Sequence, residues 1–127
     1  MKKILLIEDD KKIRFLLKRL LEKKFRMEVF EANNGAEGLD MYRQYNPKLI
    51  FLDISMPIMD GVEFLTKLRS EDSNTPVIVM TCNNDRTIVA QMLTLGISDY
   101  VIKSDFVVFL ESRIAEILEK HIPAFKI

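Results

Sequence analysis

The chain has 127 residues, 48% of them hydrophobic, which suits one domain with an adequate core and leaves no room for a second. Nineteen basic residues balance nineteen acidic ones, so there is no basic footprint for nucleic acid and no polybasic patch for a membrane; one cysteine excludes an internal disulfide framework. No stretch approaches the roughly 18 apolar residues of a membrane span and the first ten residues do not read as a signal peptide, so a cytoplasmic protein is expected.

Ile4 to Ile7 is a short apolar run ending in Glu8-Asp9-Asp10, the pattern of a strand buried on both faces and closed by carboxylates. From Lys11 to Lys24, Ile13, Leu16, Leu17, Leu20 and Leu21 recur at helical spacing, and Asp10 suits the N-cap. Phe15 falls about 160° from Leu17, opposite the packed stripe, at about 100° per residue. Met27 to Ala32 reads as a second strand. Asn34 with Glu37 three residues on opens a helix that should end near Tyr45, because Pro47 disfavours helical geometry at Asn46.

Leu49 to Leu52 is an unbroken apolar tetrad, too short for a helix, with Asp53 at its end and Pro57 and Gly61 re-aiming the chain. Asp60 reads as a turn residue. A third helix covers Gly61 to about Arg69, a fourth strand Pro76 to Met80 ends at Thr81, and a fourth helix after Asp85 runs to about Leu95, with Gly96 as its stop. Tyr100 to Ile102 form the last strand, ending at Lys103. A final helix, capped by Ser104 or Asp105, reaches about His121, packing Val107, Leu110, Ile114 and Ile117 and leaving Val108 and Phe109 off the stripe.

Strand and helix alternate five times, which predicts an α/β, doubly wound, flavodoxin-like (βα)5 fold: a five-stranded parallel sheet of order 2-1-3-4-5 with right-handed crossovers. One domain over residues 1–122 and a short tail over 123–127 are expected. In that order Glu8, Asp9 and Asp53 meet at the topological switch point, beside Thr81 and Lys103. Like charges so close call for a cation, and an oxygen-only ligand set suits Mg²⁺. A lysine and a hydroxyl facing a metal-bound aspartate would neutralise and hold a phosphoryl group, so the chemistry read here is phosphoryl transfer to Asp53.

The segments I-L-L-I-E-D-D, F-L-D-I-S-M-P-I-M-D-G, V-I-V-M-T and D-Y-V-I-K, in this order and spacing, resemble the receiver domain of two-component response regulators, the CheY-like family, over residues 3 to about 120. The resemblance implies that Asp53 is the phosphoacceptor and that Glu8 and Asp9 hold Mg²⁺, with the Ser55 main-chain carbonyl as a further ligand. It implies that Thr81 and Lys103 bind the phosphoryl group, that Tyr100 is the switch aromatic, and that Ser55 and Asn83 tune dephosphorylation. The donor would be a phosphohistidine on a sensor histidine kinase or histidine phosphotransfer protein, and the domain would catalyse only its own phosphorylation and slow dephosphorylation. Phe15 is expected on the kinase-docking side. Val108 and Phe109 are expected on an output or dimer face of fourth helix, fifth strand and fifth helix, whose downstream protein target is unknown. Receivers usually have proline after the lysine; Ser104 stands there, so a trans Lys103-Ser104 bond is expected.

Other readings weigh less. A haloacid-dehalogenase-type phosphatase would want a nucleophile and an acid two residues apart after the first strand. A flavodoxin would want a Ser/Thr-rich phosphate loop where this chain has acids. A receiver-like interaction module that works without phosphorylation would be expected to have lost part of the constellation. Cys82 reads as a small buried hydrophobe, His121 as C-terminal decoration, and the methionines as core filling. A stand-alone receiver is expected rather than the front of a DNA-binding regulator.

Overall fold

The computed structural model describes the chain apart from residues 55, 57, 82–85, 104, 105, 124, 126 and 127 and the side chains of residues 106–108. The elements are β1 (Lys3–Ile7), α1 (Lys11–Lys23), β2 (Glu28–Ala32), α2 (Gly35–Tyr45), β3 (Leu49–Asp53), α3 (Gly61–Glu71), β4 (Val77–Thr81), α4 (Arg86–Thr94), β5 (Asp99–Ile102) and α5 (Phe106–His121). All strand pairs are parallel and the order is β2-β1-β3-β4-β5, as the alternating pattern predicts. Because side chains alternate along a strand, the sheet feeds two separate cores. Ile4, Leu6, Leu49, Phe51, Ile78, Met80 and Val101 meet α1 and α5. Leu5, Ile7, Ile50, Leu52, Val77 and Val79 meet α2, α3 and α4.

The helix starts follow local chemistry. Asp10 accepts hydrogen bonds from the Lys12 and Ile13 amides, and Asn34 from that of Glu37. Asp60 is more than a turn residue: its carboxylate accepts from the Glu63 amide and caps α3. α2 stops at Tyr45, with Asn46 in left-handed geometry (φ 49°) before Pro47. Gly96 supplies φ 92° after α4.

Two stripes need correction. Leu16 is 50% exposed rather than packed. It lies about 100° from Leu17, at the margin of the buried arc that Ile13, Leu17, Leu20 and Leu21 occupy. On α5 the stripe extends further than the spacing indicated: Leu118 and Ile122 are buried beside Ile114 and Ile117. His121 is not simple decoration either; its ring is mostly buried, with Nε2 3.4 Å from Asp99 Oδ2, because α5 lays its last turn against β5. No helix among the described residues is long and apolar enough to cross a membrane.

Candidate functional site

Parallel strands bring their carboxyl ends to one edge, and in this order β1 and β3 are neighbours. Glu8 follows β1, Asp53 closes β3, Thr81 closes β4 and Lys103 follows β5, so four strand ends deliver these predicted residues to one edge. Glu8, Asp53 and Thr81 are the buried polar residues of the described chain, at 0%, 2% and 4% exposure. Asp9, next along, is exposed. One carboxylate oxygen from each of Glu8, Asp9 and Asp53 falls within a single 4.8 Å cluster.

Lys103 crosses into this cluster. Its Nζ donates to Asp53 Oδ1 at 2.9 Å and lies 3.1 Å from Glu8 Oε1. Glu8 Oε2 accepts the Asp10 amide at 3.1 Å, while the buried Oε1 has the ammonium as an ion-pair neighbour but receives no hydrogen bond. Burial, then the neighbouring Asp53 carboxyl, pushes the Glu8 pKa well above the carboxylate range. Burial raises Asp53 as well, against the opposing pull of Glu8 and Lys103. Lys103 is lowered by burial but raised on balance by Asp53 and Glu8. Two buried carboxylates beside one ammonium are short of positive charge, and an oxygen-only donor set with an unbonded buried oxygen fits a hard divalent cation such as Mg²⁺.

The approach to Asp53 is shaped by Gly61, whose amide donates to the Ile54 carbonyl at 2.9 Å; a Cβ there would sit 2.9 Å from the Asp53 carbonyl oxygen. The chain therefore turns back tightly under the acceptor. Tyr100 stands on β5 with 41% exposure; the Asp99 carboxylate accepts its amide, and Arg113 donates to its carbonyl at 2.9 Å. Phe15 and Phe109 are 61% and 59% exposed, off their helices' packed stripes. Ser55, Asn83 and the Lys103-Ser104 bond lie outside the described residues, as does the Val108 side chain.

One residue that sequence reasoning passed over touches the site. Arg14 Nη1 donates to the Glu8 main-chain carbonyl at 2.8 Å and to the Asn33 side-chain oxygen, while its Nε lies 3.3 Å from Glu31. The signal for it is local: the first turn of α1 holds bases and no acid, against the preference of a helix N-terminus.

Comparison with known proteins agrees with this geometry. The profile described as the response regulator receiver domain matches residues 4–119. The chemotaxis protein CheY of Halobacterium salinarum is 33% identical over 102 residues, covering 80% of this chain and 84% of CheY. The transcriptional regulatory protein SrrA of Staphylococcus aureus is 38% identical over 100 residues, 79% of this chain but 41% of SrrA, so the similarity spans less than half of that regulator. A two-component response regulator from Clostridium difficile superposes with a TM-score of 0.82 at 30% identity, covering 94% of this chain and 98% of its own. The sheet order, the acidic cluster and the matched profile converge, and the chain belongs to the receiver domain family of two-component response regulators.

Proposed function

We propose that the chain accepts a phosphoryl group on Asp53 from a phosphohistidine of a partner histidine kinase or histidine phosphotransfer protein, with Mg²⁺ bound by Glu8, Asp9 and Asp53. The observation that carries this reading is the Lys103 ammonium 2.9 Å from an Asp53 oxygen within the three-carboxylate cluster. In the transfer an Asp53 carboxylate oxygen forms the new bond to phosphorus as the nitrogen–phosphorus bond of the donor breaks, and the imidazole leaves with the electron pair of that bond. Mg²⁺, when bound, would neutralise charge on the transferring oxygens. Lys103 supplies a second positive charge, pre-positioned on the acceptor, and the burial of Asp53 limits water around the group.

Thr81, at the end of the strand next to β3, would turn its hydroxyl toward a phosphoryl group, and Tyr100, one strand further, would be the aromatic that moves with it. Ser55, by its carbonyl as a metal ligand and by its side chain, and Asn83 are proposed to tune the metal and the lifetime of the phosphate. Exposed Phe15 belongs in this reading to the kinase-docking side, and Phe109 with Val108 to the output or dimer face.

The test is intact-protein mass after incubation with acetyl phosphate and Mg²⁺. Wild type should gain one phosphoryl group, and Asp53→Asn or wild type in EDTA should gain none. An unmodified wild-type mass under conditions that label another receiver would sink the proposal.

A further inference from the structure

We propose that Arg14 is a positioning residue for the acid site, clamping the β1–α1 turn so that the Glu8 and Asp9 carboxylates stay aimed at Asp53; naming Mg²⁺ as the ion that depends on it rests on the function proposed above.

The placement of Arg14 is unfavourable on local grounds. Lys11, Lys12 and Arg14 crowd basic charge into the first turn of α1, where the helix dipole favours acids. Arg14 nonetheless turns back over the helix start and is largely buried, at 16% side-chain exposure. There its planar fork meets three acceptors that no other described basic side chain brings together: the Glu8 carbonyl, the Asn33 side-chain oxygen and the Glu31 carboxylate. Lys18 reaches Glu31 at 3.0 Å but not Glu8.

Each polar group of Glu8 then faces a neighbour. Its amide donates to Ala32 O at 3.1 Å, its carbonyl accepts from Arg14, one carboxylate oxygen accepts the Asp10 amide, and the other faces Lys103. Among the described residues, Arg14 is the hydrogen-bond donor to the carbonyl of the peptide plane that joins Glu8 to Asp9. Without it the Glu8 carbonyl loses its partner, and the plane that sets the directions of the two consecutive carboxylates is free to rotate.

The test turns on a sign. Removing a cation beside a cation-binding site should by charge alone tighten Mg²⁺, whereas loss of positioning should weaken it. Mg²⁺ affinity of the unphosphorylated protein would be measured by isothermal titration calorimetry for wild type, Arg14→Met, Arg14→Lys and the control Lys18→Met, with folding checked by circular dichroism. Arg14→Met should bind Mg²⁺ about tenfold more weakly, and Arg14→Lys, which keeps the charge but not the fork, should also weaken. Lys18→Met should stay within about twofold of wild type. In metal-free protein the Asp10 amide should exchange with solvent about tenfold faster in Arg14→Met, while α5 amides keep their rates. Acetyl phosphate labelling should be slow at low Mg²⁺ and recover at saturating Mg²⁺.

Tighter or unchanged Mg²⁺ binding in Arg14→Lys, or in folded Arg14→Met, overturns the proposal, as does an equal loss in Lys18→Met. An Arg14→Met chain that fails to fold passes the decision to Arg14→Lys. Wild type that binds Mg²⁺ but takes no phosphoryl group sinks the acceptor reading instead, and the exchange rates still decide the clamp.

Discussion

Ile58 sits at φ 58° with its side chain 75% exposed, two costs in one residue on the loop leaving Asp53. A β-branched side chain in the left-handed region is rare because Cβ crowds the following carbonyl. The geometry is imposed from both sides: the Met59 carbonyl accepts the Gly35 amide at 3.1 Å, and Gly61 is bonded to Ile54 across the turn. Replacing Ile58 by glycine removes roughly 1–2 kcal/mol of left-handed strain and adds back roughly 0.5–1 kcal/mol of chain entropy. Ile58→Gly is therefore expected to be more stable by about 0.5–1 kcal/mol in urea unfolding, with acetyl phosphate labelling of Asp53 unchanged. A loss of stability would show that the Ile58 side chain has packing that outweighs its backbone cost.

The connection from α3 to β4 is held by Asp72 and Arg69 rather than by apolar burial. Asp72 accepts from the Asn74 amide at 2.7 Å, the Thr75 amide at 3.0 Å, the Thr75 hydroxyl and the Tyr42 hydroxyl at 2.8 Å. Arg69 then donates to the carbonyls of Asp72, Thr75 and Gly96, tying the end of α3 to the turn before β5. Burial alone would raise the Asp72 pKa, but these donors hold it below the carboxylate's usual 3.8. A depressed folded pKa stabilises above the unfolded value and loses that stabilisation as pH falls through the folded one. Asp72→Asn should thus cost about 1–3 kcal/mol at pH 7, and the gap to wild type should close on acidification below about pH 4. Burial and the Asp72 bond push Tyr42 the other way, from 10.0 up to about 12. Its stabilisation is present below pH 10 and lost as pH rises toward 12, so Tyr42→Phe, about 1 kcal/mol less stable at pH 7, should match wild type at high pH. Parallel pH curves for wild type and variant would contradict either assignment.

Across the molecule, the two cores and the acid site pull against each other. The sheet buries apolar side chains on both faces, and the same compactness strips water from Glu8 and Asp53. Without a metal, Lys103 is, among the described residues, the cation that offsets their charge. Lys103→Met should therefore lower the thermal midpoint in EDTA, since removing one partner of a buried ion pair typically costs about 3–5 kcal/mol. Mg²⁺ at about 100 times its Kd adds roughly 2.7 kcal/mol to a protein that binds it only when folded. The rise in midpoint on adding Mg²⁺ should be larger in Lys103→Met than in wild type, because the ion then replaces the missing charge as well. An equal rise in both would show that Lys103 and the ion act independently.

Much of this was legible in the chain itself. Apolar tetrads ending in acids, caps at Asp10 and Asn34, and the breaks at Pro47 and Gly96 are local, so they predict strands, helices and their limits without any partner in space. The five-fold alternation then leaves few topologies, and the one adopted brings Glu8, Asp53, Thr81 and Lys103 to one edge. The tertiary structure decided the rest. Leu16 is exposed and Leu118 buried because the width of a packed stripe depends on what lies opposite it. Asp99 gathers Arg113 and His121 from α5, at sequence separations no periodicity reports. Arg14 reads as one more base on a solvated helix until β2 brings Glu31 and Asn33 beside it, because a guanidinium's role is set by the acceptors it meets, and these come from another strand and the end of β1.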